Sequence, residues 1–303
     1  MNPLPKILKR DDYIQEGCNP ANGVVLLACS VGDDDEVPCS RVVVVRDGLA
    51  LSYLLEGDQL TSIDAAPDGS SWALGENGLV IRFDWRTPSS DVELAATVEH
   101  YKINGVEDEG PLRRLRLLGS DVVAVGAMGQ AMYFAGQDFI ALPRLIVAGE
   151  ELTLEDLAGP SRADFIGVSN DGYAAHFDGK VWHKLDLPSN VPLNSIARLA
   201  GNRYAITGDG AALLVGAGDQ WRAIALPHDE RDYWGIAADS NDTIYLSHVG
   251  GIDVFSGTSA NALKIPRRRQ NEFVVLRSGP DGIWSFAGHS VGLVAGGQWQ
   301  VML

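Results

Sequence analysis

A unit of about forty residues recurs along this 303-residue chain, and it limits the possible folds more than any other feature. Each unit holds an apolar strand, a turn rich in Gly, Asp or Asn, a second strand ending in small residues, and two further short strands. Residues 193–227 are the clearest copy. The glycine of the second turn recurs at intervals of 38 to 51 residues, at Gly78, Gly129, Gly172, Gly210, Gly250 and Gly292.

This repeat predicts an all-β fold, a seven-bladed β-propeller with four-stranded antiparallel blades. A lone four-stranded sheet cannot bury both faces, whereas seven sheets packed around an axis can. A pair of β-sandwiches is the alternative, which the regular period disfavours. Helical periodicity is weak, and its best candidate is a short helix within residues 149–157. We expect one domain over residues 1–303, with blades at approximately 5–56, 57–104, 111–144, 152–189, 193–227, 233–266 and 272–303.

The composition argues against several classes of protein. The chain is 46% hydrophobic and 21% charged, which is typical of a folded protein and not of a disordered one. A formal net charge of −16 argues against binding to nucleic-acid phosphates. No apolar run approaches the roughly 20 residues of a membrane-spanning helix, and the first residues do not resemble a secretory signal. We therefore expect a cytoplasmic protein with neither a nucleic-acid nor a membrane partner.

Three segments resemble the repeats of sialidase-like and photosystem assembly-factor-type β-propellers: WALGENGLVIRFD, YAITGDGAALLVGAGDQW and IWSFAGHSVGLVAGGQW. Those repeats carry a Gly-x-x-Trp pattern between the third and fourth strands, which here pairs Gly179 with Trp182, Gly218 with Trp221 and Gly296 with Trp299. The resemblance implies the propeller fold. It implies no enzymatic activity, because no unit holds the complete Ser-Asp-Gly-aromatic box and the arginine cluster of sialidases cannot be placed.

The two faces of such a disc are expected to differ. Connections from a fourth strand to the next first strand open on the same face as those from a second to a third strand, and we call this the top face. The bottom loops are short, whereas the longer top loops hold most of the acidic runs. One basic top loop, at residues 267–269, is the exception.

The acidic top loops predict a face that binds a protein partner with a basic surface. The alternative is that these loops only keep the surface solvated, and that the two aromatic residues beside them pack within a first strand. The candidate partner-binding residues are Asp33, Asp34, Asp35, Glu36, Glu107, Asp108, Glu109, Glu150, Glu151, Asp229, Glu230 and Asp232, with Tyr233 and Trp234 as aromatic anchors.

Motifs for catalysis or metal binding are not apparent. The histidines and cysteines lack metal-site spacing, and no nucleophile elbow, P-loop or dinucleotide motif occurs between a strand and a helix. We predict no enzymatic activity, no cofactor and no metal. The leading interpretation is a non-catalytic protein-binding propeller, in one version an immunity or inhibitor protein that neutralises a cationic toxin or enzyme. Two alternatives stay open: a glycan-acting enzyme or small-ligand binder with a central pocket, and an assembly or scaffold factor.

Overall fold

The apolar segments of the repeat form strands in the structure, a computed structural model that describes residues 3–5, 7–9, 11–32, 37–227, 230–257, 259–266 and 274–303. Within these ranges lie seven sheets of four antiparallel strands, each with its strands in sequence order. The first strand of every sheet packs against the first strands of both neighbouring sheets, and the last sheet meets the first in the same way. The sheets therefore close into a disc, which confirms the predicted seven-bladed β-propeller.

The strands are numbered in chain order. Blades 1 to 3 contain β1 (Asp12–Cys18), β2 (Val24–Val31), β3 (Cys39–Arg46), β4 (Leu49–Glu56); β5 (Leu60–Ala65), β6 (Ser70–Gly75), β7 (Leu79–Asp84), β8 (Glu99–Lys102); and β9 (Leu112–Leu118), β10 (Asp121–Gly126), β11 (Ala131–Phe134), β12 (Phe139–Ala141). A hairpin of β13 (Ile146–Val147) and β14 (Glu150–Glu151) follows.

Blades 4 to 7 contain β15 (Leu154–Ser161), β16 (Asp164–Ser169), β17 (Ala174–Phe177), β18 (Trp182–Lys184); β19 (Leu193–Arg198), β20 (Tyr204–Gly208), β21 (Leu213–Ala217), β22 (Gln220–Ala223); β23 (Tyr233–Ala238), β24 (Ile244–His248), β25 (Gly251–Phe255), β26 (Ala260–Ala262); and β27 (Val275–Gly279), β28 (Gly282–Ala287), β29 (Ser290–Ala295), β30 (Gln298–Val301). Short 3-10 turns occupy Ala127–Gly129 and Ala200–Asn202.

Two short helices lie in the long second unit, α1 (Asp91–Ala96) and α2 (Val106–Glu109). α1 begins after Ser90, whose hydroxyl accepts a hydrogen bond from the backbone N–H of Glu93 at 3.2 Å. The helix predicted within residues 149–157 is wrong. That segment holds β14 and the start of β15, because Ala148 and Gly149 both adopt a positive φ and so turn the chain into a hairpin.

Each pair of neighbouring blades encloses an apolar core. Between blades 7 and 1, for example, Ile14 and Leu27 pack with Trp284 and Phe286, and all four are essentially fully buried. Because a blade is covered on both faces, its inner strands are continuous apolar runs, as in β2, and do not alternate between apolar and polar residues. The fourth strands lie at the rim and are half-exposed or exposed, as in β18 and β22.

The glycine turns of the repeat are present at five of the six predicted positions. Their φ values lie between 58° and 95°, at Gly78, Gly129, Gly172, Gly210 and Gly250. The sixth prediction is wrong, because Gly292 lies within β29 and blade 7 turns at Gly288, with a φ of 54°. Gly292 has another role: the indole ring of Trp299 packs against it so closely that a Cβ would overlap the ring.

A β-bulge recurs near the start of the first strand in six blades, within the part of the chain that the structure describes. At each bulge one extra residue of the first strand interrupts the pairing with the second strand. We call the extra residues the mouth residues, because they lie at the top end of the inner strands. They are Gln15, Thr61, Arg113, Glu155, Asn194 and Trp234.

The small residues at the end of the second strand are explained by the chain that enters the first strand of the same blade. In blade 5 the carbonyl oxygen of Pro192 approaches Gly208 so closely that a Cβ at Gly208 would overlap it. In blade 3, Gly126 is approached in the same way by the carbonyl oxygen of Pro111. The repeat therefore requires small residues here for packing, and neither glycine has a positive φ.

Replacing Gly208 by alanine is expected to destabilise the fold by about 3 kcal/mol, because the new methyl group must displace the chain at Pro192. Gly201→Ala is the matched control: Gly201 has a φ of 67° and open space around it, so only about 1 kcal/mol of backbone strain is expected. Urea unfolding followed by tryptophan fluorescence measures both. Equal losses of stability would contradict the packing argument.

Candidate functional site

The predicted partner-binding residues that the structure describes lie on connections into blades 3, 4 and 6, which open on the top face. Asp33, Asp34, Asp35, Glu36 and Asp229 lie outside the described residues. The others are Glu107, Asp108 and Glu109 in α2, Glu150 and Glu151 in β14, Glu230 and Asp232 before β23, and Tyr233 and Trp234 at the start of β23.

Arg144 brings two of these acidic segments together. Its guanidinium pairs with the carboxylate of Glu109 and lies 3.3 Å from Oε1 of Glu151. One cation therefore offsets part of the negative charge between blades 3 and 4. The neighbouring carboxylates that remain exposed to solvent are those of Glu107, Asp108 and Glu150.

The segment before β23 is fixed to two blades. The backbone N–H of Gly210 in blade 5 donates to Oδ1 of Asp232 at 3.0 Å. Arg231 reaches into blade 6, where its Nη1 lies 2.5 Å from Oδ2 of Asp253. Glu230 is exposed. Asp232 is thus held at a defined place on the top face.

Tyr233 and Trp234 are adjacent but have opposite environments. Tyr233 is fully buried and its hydroxyl donates to Asp253 at 2.7 Å, so burial and this bond raise the pKa of Tyr233 well above its usual range. Burial acts to raise the pKa of Asp253, but the neighbouring His248 and the hydrogen bonds from Tyr233 and Arg231 outweigh it and lower that pKa. Trp234 is 44% exposed. Because a partner cannot reach the Tyr233 side chain in this conformation, we retain only Trp234 as a candidate anchor.

A buried ion-pair network lies in the axis of the disc. Glu16 of β1 is fully buried and pairs with Nη1 of Arg116 at 3.0 Å and Nη1 of Arg277 at 3.4 Å. Arg277 continues to Asp64 at 2.7 Å, and Arg116 continues to Asp156 at 3.0 Å. We call these five residues the axial network. They join the first strands of blades 1, 2, 3, 4 and 7.

Glu16 is held in its charged form by this network. Burial acts to raise the pKa of Glu16, but the guanidinium groups of Arg116, Arg114 and Arg277 and a hydrogen bond from Ser62 Oγ at 2.5 Å lower it to about 2. A general acid or base needs a pKa nearer to the working pH. The chemistry of Glu16 therefore fits a structural ion pair better than proton transfer.

A cavity of about 280 Å³ lies beside the axial network. Its walls come from the second halves of the first strands, which places it toward the bottom face, and they include Ser195 and the side chains of Asp64, Arg116, Asp156 and Arg277. Small-ligand sites place a few polar groups among apolar side chains, and the lining of this cavity contains both kinds. The charged groups of the axial network are already paired with one another, so a ligand that binds to them would compete with existing ion pairs. Arg198, which also lines the cavity, is exposed.

The described residues also include side chains of the types that bind metals or act as nucleophiles. No set of three or more His, Cys, Asp or Glu side chains within the described ranges is arranged to hold a metal ion. Cys18, Cys29 and Cys39 are free thiols. Burial raises the pKa of Cys29 to about 12 and that of Cys18 well above its usual value, which opposes nucleophilic reactivity. Helices long and apolar enough to cross a bilayer are not found in the part of the chain that is described.

The axial network was not predicted from the sequence, and of the mouth residues only Trp234 was predicted to bind a partner. A signal for the network exists, because acidic residues occupy the same place in two first strands, Glu16 in DYIQEGC and Asp156 in LEDLAGPS. The partners could not be read from this signal, since Glu16 and Arg277 are 261 residues apart. For the mouth residues, a one-residue shift in pairing leaves no clear mark in the sequence.

Comparison with known proteins gives one partial relative and many structural neighbours. No protein-family model matches the sequence. The immune protein Tsi7 of Pseudomonas aeruginosa is 24% identical over 154 residues, so the match spans about half of this chain and half of Tsi7. Among solved structures, YCF48 bound to D1 peptide has a TM-score of 0.68 and 13% identity, and covers 95% of this chain and 92% of its own. The WD40 propeller of Doa1 has a TM-score of 0.70, 12% identity and coverage of 95% and 93%. At these identities the structural neighbours show the fold alone.

The stability of the fold should depend on pH through the ionisation of Glu16, whose pKa is about 2 in the folded chain and ordinarily 4.5. Its stabilising effect is complete above about pH 5 and is lost as the pH falls toward 2. Between pH 6 and pH 3, the free energy of unfolding should therefore fall by about 2 kcal/mol more in the wild type than in Glu16→Gln, as urea unfolding can measure.

Glu56→Gln, at an exposed position of β4, is the control. Its free energy of unfolding should fall between pH 6 and pH 3 by the same amount as that of the wild type. If Glu16→Gln loses as much stability on acidification as the wild type does, Glu16 is not a low-pKa group in the folded chain.

Proposed function

We propose that this chain is a non-catalytic, protein-binding propeller whose top face captures a protein with a basic surface. The observation that carries the proposal is the placement of acidic residues from separate connections on one face: Glu107, Asp108, Glu150 and Glu230 are all exposed there. A cluster of like charge on a rigid scaffold attracts an oppositely charged partner over a distance of about 10 Å. The formal net charge of −16 adds to this attraction.

In the more specific form of the proposal, the chain is an immunity protein that neutralises a cationic toxin or enzyme. The partial similarity to the immune protein Tsi7 supports this form. Electrostatic steering suits the task, because an inhibitor must capture its target quickly, and complementary charge raises the association rate more than it raises affinity. The proposal places the protein in the cytoplasm, where free thiols such as Cys18, Cys29 and Cys39 are usual.

A small-ligand site in the axis is the second candidate. It rests on the polar cavity of about 280 Å³, which brings carboxylate and guanidinium groups together. We favour protein binding because the carboxylates of this cavity, those of Asp64 and Asp156, are engaged in the axial network, whereas those of Glu107, Asp108 and Glu150 on the top face are exposed to solvent. An assembly or scaffold role is a variant of protein binding with a long-lived partner.

Reversing charge on the top face should slow partner association. The partner to be tested is the product of the gene adjacent to that of this chain, first checked for complex formation and for growth inhibition that this chain relieves. In Glu107→Lys/Glu150→Lys, the association rate at low salt should fall at least about tenfold, because both substitutions oppose the attraction. Stopped-flow or surface-binding kinetics over a range of salt concentrations measures it.

The control is Asp138→Lys/Asp219→Lys, which alters net charge by the same amount on exposed bottom-face residues. It should leave the rate within about twofold, because these sites lie beyond the screening length from the top face. Equal slowing by both double variants would mean that only net charge matters. No slowing by the top-face variant would remove the proposed binding face.

A further inference from the structure

The mouth residues offer a binding site distinct from the acidic rim. At a bulge the extra residue takes no part in the strand ladder, so its side chain can be redirected. Six inner strands place such a residue at the same level, near the top end of the axis. In blades 4, 5 and 6 these residues are Glu155, Asn194 and Trp234, and β19 packs between β15 and β23. The three side chains therefore come from adjacent strands of one sector.

Asn194 is oriented by its neighbours. Its Nδ2 donates to Oδ1 of Asp209 and to the backbone carbonyl of Tyr233, each at 3.0 Å. Both bonds use the amide nitrogen, so the amide oxygen is the group that Asn194 can offer to a ligand. The bond to Tyr233 also places Asn194 directly beside the residue that precedes Trp234.

Glu155 is a carboxylate with capacity for another cation. Its Oε1 lies 3.9 Å from Nε of Arg113, which is longer than the roughly 2.7–2.9 Å of a charge-assisted hydrogen bond. The side chain is 24% exposed. Burial raises the pKa of Glu155 above its usual value, although Arg113 and Arg114 act to lower it. A cation bound from outside would lower this pKa and so favour the ionised form.

The surroundings of this sector are mostly acidic, with Arg113 beside Glu155 as an exception. Asp171 and Asp209 lie on the top turns of blades 4 and 5, and Asp232 lies on the connection into blade 6. Arg231, the cation nearest in sequence to Trp234, is directed to Asp253. The exposed indole of Trp234 thus stands in a negative field, and an indole face attracts cations through its quadrupole.

We propose that Glu155, Asn194 and Trp234 form a site for one arginine side chain, which a protruding loop of the protein partner inserts at the mouth of the axis. Arginine fits the three groups: its planar guanidinium stacks on an indole, donates to a carboxylate and has further N–H groups for an amide oxygen. Arginine is also enriched at the energetic centres of interfaces. The inference rests on the proposed function, because it gives the partner the residue that the top face recognises.

A tripeptide tests the site without the partner. The probe is N-acetyl-Gly-Arg-Gly amide, added to the full ¹⁵N-labelled chain, and the signal is the indole N–H resonance of Trp234, identified by its loss in Trp234→Phe. We expect a saturable shift at millimolar concentrations. The same peptide with citrulline, which keeps the shape and removes the charge, should bind at least about tenfold more weakly.

The variant Glu155→Gln should weaken binding of the arginine peptide about tenfold, whereas Asp219→Asn, at an exposed bottom-face residue, should not change it. Equal affinity for the citrulline peptide, an unchanged affinity in Glu155→Gln, or no shift of the Trp234 resonance would each overturn the assignment.

The outcome is separable from that of the proposed function. If the top-face charge reversal slows the partner but the peptide does not bind, the arginine site fails and the binding face stands. If the peptide binds as expected but charge reversal has no effect on the partner, the site stands and electrostatic capture fails.

Discussion

The charged side chains in the axis join the inner strands of five blades, including the first and the last, and the closed disc depends on the junction between those two blades. Moving an ion out of water costs several kcal/mol, so buried charges are tolerated only when each is well paired. Glu16 meets this condition with two guanidinium groups, the hydroxyl of Ser62 and the backbone N–H of Ile63 at 3.1 Å. Arg277 extends the same network from blade 7 to Glu16 in blade 1 and Asp64 in blade 2.

The first and last blades must be joined for the ring to close, and the axial network contributes to this junction. Among the described residues, blade 7 is built from β27–β30, so no sheet is shared between the first and last blades. Contacts between separate sheets must join them. Asp281 accepts hydrogen bonds from Asn19 and from the backbone of Gly23, each at 2.9 Å, and the backbone N–H of Ile14 donates to Gly288 at 2.6 Å. The ion pair between Glu16 and Arg277 near the axis and the backbone hydrogen bond between Ile14 and Gly288 therefore both join blade 7 to blade 1.

The fold could be predicted largely from local chemistry, because turns and strand lengths are local. Gly78 and Gly210 mark turns since they adopt a positive φ, and the recurrence of such turns gives the blade count. Gly292 misled the assignment because a glycine can also make room for a ring, here that of Trp299. The helix expected within residues 149–157 failed for a related reason, since turn geometry at Gly149 outweighed a weak helical pattern.

The candidate site was less predictable, because it depends on contacts between distant segments. The acidic connections were evident in the sequence, but their partial neutralisation by Arg144 was not. Nothing in the sequence distinguishes the environment of Tyr233 from that of Trp234. The register shift at Trp234 leaves Tyr233 in the core and exposes the Trp234 side chain. Side chains that a bulge redirects depend on tertiary structure and have no periodic signature.

The bulges also have a consequence for divergence among related chains. A residue that stands outside the ladder is not a member of the apolar core, so its identity is less constrained by folding than that of a core residue, although Gln15 donates a hydrogen bond to Ser30 Oγ at 2.9 Å. Substitutions at Gln15, Thr61 or Trp234 can therefore accumulate at low cost in stability, while Glu16 and Ser62, one residue further along, stay fixed by their bonds. Under the proposed function, such an architecture would let the recognised target change over generations without rebuilding the scaffold beneath it.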